Sequence, residues 1–279
     1  MLLPRIITAV VLLAILLPAL FAASAWPFLV VTLVMIAAAG WEWARMNGCR
    51  NQAVALGTGV ALAGVCAAMG FATWGRTDLS VLWWSAAVVW SLGGAAVLRS
   101  GPAAWPRVPV VLRWLLGLCV LLAAWMAMAN ARERGVNFLL SVMCIVWAAD
   151  IAAYFGGRAF GKKKLAPTIS PGKSWAGAYS GMAGVALLAA VWVQADASWS
   201  AACPSFFTAI HQRLGLVGLA LALVALTSLS VVGDLVESLV KRAAGVKDSS
   251  QLLPGHGGVL DRVDALLPVL PSALALASL

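Results

Sequence analysis

The chain has 279 residues, 63% of them hydrophobic and only 10% charged, well below the roughly 25% charge of ordinary globular domains. That balance excludes a soluble globular enzyme and places the chain in a lipid bilayer. The formal charge of +9 calls for no nucleic acid, because a basic face against anionic lipid accounts for it.

In chain order, apolar runs near residues 6–24, 27–44, 53–73, 80–98, 109–129, 137–155, 174–194, 214–233 and 259–278 each approach the ~20 residues that cross the hydrocarbon as a helix. The expected fold is an all-α polytopic membrane bundle of nine transmembrane helices. With the N-terminus in the cytoplasm, only Arg76, Arg132, Arg134 and Arg213 of the 19 Lys and Arg face the other side, which is the asymmetry the positive-inside rule requires. The opening stretch MLLPRIITAVVLLAILLPALFAASAW has a second reading as a signal peptide ending at Ala23-Ser24-Ala25. Both readings leave residue 26 outside.

The cysteines, Cys49, Cys66, Cys119, Cys144 and Cys203, are scattered without a CxxC pair and suit packing better than a disulfide frame. With His211 and His256 the only histidines, a zinc site has few ligands to draw on.

Polar chemistry is divided unevenly. Residues 1–136 read as a lipid-facing scaffold in which Glu42 is the only acid inside or bordering a helix, and residues 137–279 read as the catalytic region. In the second part Asp150, Asp234, Glu237, Asp261 and Asp264 gather at one membrane level, toward the cytoplasm. Ionisable groups at that depth are costly unless paired, hydrated or bound to a cation.

In GDLVESLVKR, residues Asp234, Glu237, Ser238 and Lys241 fall within an arc of about 100° on a helix. This is either a solvated salt-bridge face or one wall of a site. Asp261 and Asp264 share a face at the start of the last run, and a divalent cation held by hard oxygens would relieve their repulsion. Asp150 closes a third side or forms a structural ion pair. In GRAFGKKKLAPTISPGKSW, the basic cluster is a positive-inside anchor, and Lys173, beside Ser170, suits a point contact to phosphate.

Several motifs fail on inspection. PGKS lacks the glycine that a P-loop needs at Pro167, and GAYSG does not match GxSxG. Gly177 and Gly181 have the spacing of close helix contact. No internal repeat suggests a transporter of inverted symmetry.

The stretch SLVKRAAGVKDSSQLLPGHGGVLDRVD resembles the signature of the phosphatidate cytidylyltransferases, the CDP-diacylglycerol synthases, through Ser238, Lys241, Arg242, Lys247, Asp248, His256, Gly257, Gly258, Asp261, Arg262 and Asp264. DIAAYFGGRAFGKKKLAPTISPGKSW and GDLVES are similar to the same family, while the N-terminal half matches loosely. Ala176 departs from it, since many members are acidic or amide there. The resemblance implies transfer of a cytidylyl group from CTP to phosphatidic acid in the bilayer, with Mg²⁺ and room for a second cation. It implies a metal pair held by Asp234 and Asp261; Asp264 is expected to join them for metal, and Lys241, Ser238, Arg262 and Lys173 are expected on phosphates. His256 is either a proton or phosphate donor or a residue that orders the loop. Ser170, Arg242, Lys247, Asp248, Gly257, Gly258 and Asp150 complete the expected substrate contacts. The expected location is a bacterial inner membrane with the active site cytoplasmic, and a Gly- and Trp-rich bundle is compatible with a homodimer.

Two other functions fit the residues read alone: a CTP-dependent polyprenol or phytol kinase, which would need a base for its alcohol, and an ion-coupled transporter. A CDP-alcohol phosphotransferase would carry a DGxxAR element that this chain lacks.

Overall fold

Backbone polar groups find no water in hydrocarbon, so apolar runs are driven into helices that satisfy their own hydrogen bonds. The computed structural model describes residues 3–73, 75, 79–199 and 203–279; Arg76, assigned above to the far side, lies outside them. The helices are α1 (Leu3–Phe21), α2 (Trp26–Met46), α3 (Gln52–Thr73), α4 (Ser80–Val88), α5 (Gly94–Ser100), α6 (Val110–Arg134), α7 (Val136–Phe160), α8 (Trp175–Trp199), α9 (Phe206–Ala243), α10 (Leu260–Val263) and α11 (Leu266–Leu276). A π-helical turn, Val89–Gly93, joins α4 to α5. Between α7 and α8 lies a short hairpin, β1 (Lys164–Ala166) and β2 (Ser170–Ser174).

Among the described residues, seven segments are long and apolar enough to cross a membrane: α2, α3, the joined α4 and α5, α6, α7, α8 and α9. The apolar part of α1, Ile6–Phe21, is shorter. The polytopic bundle is thus as expected, and the first eight predicted runs each coincide with helix. The ninth does not form one span. It divides into α10 and the 11-residue α11, which contains Pro271 and at 1.5 Å per residue reaches only about half of the ~30 Å of hydrocarbon. Residues 266–275 are all buried, packed against α4, α6, α7 and α9, so α11 is a core element shielded from lipid by its neighbours. Helix α9 is longer than its predicted run. It breaks at Gly215 (φ 69°) and continues to Ala243, carrying Asp234, Glu237, Ser238 and Lys241 beyond the apolar stretch.

Arg132, Arg134 and Arg213, three of the arginines that the charge tally sets apart, lie toward the same end of the bundle. At one end Arg132 donates through Nη2 to the Ala22 carbonyl at 2.7 Å, and the Cys203 thiol donates to the Arg134 carbonyl. Arg213 donates to the Ala277 carbonyl at 2.9 Å. At the other end α2, α7 and α9 finish and the hairpin leads into α8.

Lipid gives helices little hydrophobic reason to associate, so close contact depends on small residues. The α7 and α8 interface shows this. A Cβ at Gly177 would lie 3.0 Å from the Ala153 carbonyl oxygen, one at Gly181 would lie 3.1 Å from that of Ala149, and one at Gly184 would lie 2.5 Å from the Ala152 Cβ. The glycine spacing in the sequence therefore marks a real helix contact. Gly184→Leu is expected to lower the melting temperature in detergent, since overpacking of this kind costs about 1–3 kcal/mol. Gly64→Leu, at a position with nothing within 4 Å of the added Cβ, is expected to leave it nearly unchanged in the same thermal melt.

Candidate active site

Two lysines organise the end of the bundle at which α9 finishes. Lys173, on β2, is ion-paired with Asp234 on α9 and stands 3.9 Å from Asp150 on α7. The hairpin carries it there. Its strands pair antiparallel, Lys164 opposite Ser174 and Ala166 opposite Ser170, and Ser174 Oγ accepts from the Gly177 amide at 3.1 Å, which fixes the turn into α8. Arg242 donates through Nε to the Ile169 carbonyl at 3.4 Å, tying the hairpin to α9. Ser238 donates to Asp234 Oδ1 at 3.3 Å.

Farther along the same helix Lys241 pairs with Glu237 and, at 2.5 Å, with Asp261 Oδ1. The other Asp261 oxygen accepts from the Ser249 amide at 2.9 Å, the Ser249 hydroxyl at 2.9 Å and the Gly258 amide at 2.7 Å. Burial alone would push the Asp261 carboxyl up; the Lys241 ammonium and the Gly258 and Ser249 amides outweigh it and hold the group below the usual carboxylate range. Asp264 has the opposite balance. Burial first, and the Asp234 charge second, push it up to about 7. The Asp264 backbone oxygen lies against α9, 2.5 Å from where a Gly233 Cβ would be, so glycine is needed beside Asp234 for this approach.

The glycines of the signature have a similar use. Gly257 adopts φ 81°, and a Cβ there would sit 2.7 Å from Asp261 Oδ2. A Cβ at Gly258 would strike Ser249 Oγ and Glu42 Oε1. The loop can wrap two carboxylates only because these positions lack side chains. Arg262 donates from Nε at 2.8 Å and from Nη2 at 2.5 Å to the His256 carbonyl, closing the loop, while His256 Nδ1 is buried with no hydrogen-bond partner among the described residues.

The residues singled out from the sequence therefore fall into two adjoining clusters along α9: Asp150, Lys173, Asp234 and Ser238 in one, Lys241 and Asp261 in the other, with Asp264 against α9 between them. Ser170, Lys173 and Asp150 line a cavity of about 560 Å³ between α7, α8, the hairpin and α9. Its deeper wall includes Thr227, whose hydroxyl is buried without a partner among the described residues. Lys247 and Asp248 are exposed on the loop that follows α9. Among the described residues no three Asp, Glu, His or Cys side chains stand close enough together to hold a metal ion unaided.

One buried acid at this end was absent from the expected site. Glu42, on α2, is 0% exposed and accepts from Ser250 Oγ at 2.6 Å, Ser249 Oγ at 3.2 Å, and the Val259 and Leu260 amides at 2.9 and 2.8 Å. The signal was present in the sequence, since Glu42 is the one acid of α1–α5, although Glu133 also falls inside a helix, in the last turn of α6, against the expectation; no local motif connected Glu42 to residues more than 200 positions away.

Known proteins bear on this arrangement. A phosphatidate cytidylyltransferase of Pseudomonas aeruginosa is 38% identical over 285 aligned residues, covering 99% of this chain and 97% of the relative. One from Haemophilus influenzae is 48% identical over 138 residues, 50% of this chain and 44% of the relative. One from Staphylococcus epidermidis is 39% identical over 142 residues, 51% of this chain and 49% of the relative. The family model described as the cytidylyltransferase family matches residues 3–279, so the paired lysines and carboxylates lie within a match that spans nearly the whole chain, and the chain belongs to the cytidylyltransferase family.

Proposed function

We propose that the chain transfers a cytidylyl group from CTP to phosphatidic acid, releasing pyrophosphate and leaving CDP-diacylglycerol in the membrane. The observation that carries this reading is the placing of Lys173 and Lys241 on carboxylates from different segments at one end of a membrane bundle, in a member of this family. A phosphate monoester oxygen of phosphatidic acid attacks the α-phosphorus of CTP, and the bond from that phosphorus to the oxygen bridging to the β-phosphate breaks. The attacking oxygen is already anionic at neutral pH, so no strong base is required. The barrier is the approach of one anion to another, and catalysis consists of neutralising and aligning charge.

The residues of this chain supply both. Lys173 and Lys241 are each held between two carboxylates, which keeps their ammoniums charged and aimed before substrate arrives. As phosphates enter, each lysine can share its protons with a phosphate oxygen without leaving its carboxylate. Ser170, Lys173 and Asp150 line the cavity that takes the nucleotide or the headgroup. Ser238 and Arg262 are assigned to phosphate contacts, with Arg242, Lys247, Asp248, Gly257 and Gly258 at the rim. His256 is assigned to the loop, where its backbone carbonyl already serves as the acceptor for Arg262.

The carboxylates outnumber the two ammoniums here, an unwelcoming field for a triphosphate. Asp234, Asp261 and Asp264 are hard oxygen donors of the kind that hold Mg²⁺ together with substrate phosphates, and the upward push on Asp264 is what a nearby cation would reverse. These residues are our assignment for Mg²⁺, which when bound would neutralise phosphate charge. We further place the site on the cytoplasmic face of a bacterial inner membrane. The excess of Lys and Arg at that end and the bacterial sources of the relatives support this.

Membranes containing the protein, incubated with phosphatidic acid, Mg²⁺ and CTP labelled at the α-phosphate, are expected to carry label into the lipid fraction. Label entering only from the γ-phosphate would instead identify a kinase. Asp261→Asn leaves Lys241 with Glu237 as its remaining charged partner and is expected to reduce transfer at least about 10-fold, with the protein still eluting as a folded species in size-exclusion chromatography. Near-normal turnover in that variant would remove Asp261 from the reacting centre.

A further inference from the structure

Two side chains of the N-terminal helices reach the signature loop: Thr8 of α1 donates to the Pro254 carbonyl at 2.9 Å, and Glu42 of α2 accepts from the loop's far side. Glu42 is wholly buried, and each of its carboxylate oxygens accepts one backbone amide and one serine hydroxyl from the signature loop. Backbone amides can only donate, so the two from Val259 and Leu260 fix both oxygens as acceptors. These amides lie immediately before Asp261. On the other side of the same loop, the Ser249 hydroxyl stands 3.2 Å from Glu42 Oε2 and 2.9 Å from Asp261 Oδ2. A hydroxyl has a single proton, so the two carboxylates share that donor.

From this geometry we infer that Glu42 is a positioning residue for the transfer reaction: it sets the direction of Asp261, and through it Lys241, by holding the backbone of residues 259–260 and the Ser249 hydroxyl. The inference rests on the proposed cytidylyl transfer for its kinetic consequence, but the structural hold is independent of it. Gly258 supports the same conclusion, because a Cβ there would collide with both Ser249 Oγ and Glu42 Oε1. The loop has closed around a carboxylate, and Val259, the residue ahead of α10, makes no side-chain capping bond of its own. An amide at position 42 could keep one acceptor oxygen, but its NH₂ group would face donors. That leaves at least one buried backbone amide unsatisfied, at the point where the chain turns toward Asp261.

The test compares wild type with Glu42→Gln and Glu42→Asp, purified in detergent, by steady-state transfer kinetics and by hydrogen–deuterium exchange of the peptide spanning residues 249–264. Glu42→Gln is expected to lower kcat about 10- to 100-fold, the range seen when hydrogen-bond partners of metal-holding groups are removed, with KM for CTP changing less than kcat. Exchange is expected to rise in residues 249–264 while α6 and α7 keep wild-type protection. Glu42→Asp, which retains the charge on a shorter stem, is expected to recover part of kcat. Wild-type kcat, or wild-type exchange in the loop, would overturn the inference; so would exchange rising equally in all helices, which would make Glu42 a general stabiliser. If Glu42→Gln does not fold, the Ser249→Ala and Ser250→Ala double variant, which keeps the carboxylate and its amide bonds, is expected to raise loop exchange and lower kcat more mildly, and no change in either would count against the proposal. Should the wild type itself show no cytidylyl transfer, the proposed reaction fails, and the exchange result still decides whether Glu42 holds the loop.

Discussion

Two ammonium groups held among carboxylates from separate segments are the constraint around which the functional end of this bundle is built. Lys173 joins the hairpin to α7 and α9, and Lys241 joins α9 to Asp261 in the first turn of α10. Neither charge could remain near the membrane without its partners, and neither carboxylate cluster could form without the lysines. The same pairs therefore fix the loop geometry and prepare the field into which phosphates must enter. A phosphoryl-type transfer between two anions asks chiefly for such a field, which is why a catalytic triad is not needed.

The rest of the fold brings these segments within reach. The small faces of α7 and α8 allow the hairpin between them to lie close to α9, and Gly233 admits the backbone of Asp264. The N-terminal helices contribute a polar network of their own near the same end. Trp43 Nε1 donates to the Arg113 carbonyl at 3.0 Å, Trp105 Nε1 to Asn47 Oδ1 at 3.0 Å, and Trp114 Nε1 to the Asn47 carbonyl at 3.3 Å. These bonds lock the end of α2, one turn from Glu42, against the segments around α6. A carboxylate on a rigid helix can hold a loop; one on a mobile helix could not.

Much of this was legible in the sequence. Apolar run length gave the helices, because the bilayer permits little else, and the i, i+3, i+4 and i+7 pattern placed Asp234, Glu237, Ser238 and Lys241 on one face. Run length also misled at residues 259–278, where hydrophobicity reflects burial inside the bundle and Pro271 sits in a helix too short to span. The hairpin was not foreseen, since three- and five-residue strands leave almost no periodic trace. The partners of the charged residues were also out of reach. Spacing indicates which side chains share a helix face, but whether Lys173 meets Asp234, or Glu42 meets the loop beyond α9, depends on how helices far apart in sequence pack together.

The central claim is that Lys173 with Asp234 and Lys241 with Asp261 serve a single substrate assembly. An experimental structure determined with CTP and Mg²⁺ tests it most directly. The account requires the triphosphate to lie along α9 in contact with both lysines, with Asp234 and Asp261 facing the same group of phosphate oxygens. A nucleotide bound away from either lysine, or Asp234 and Asp261 turned to separate chambers, would contradict it.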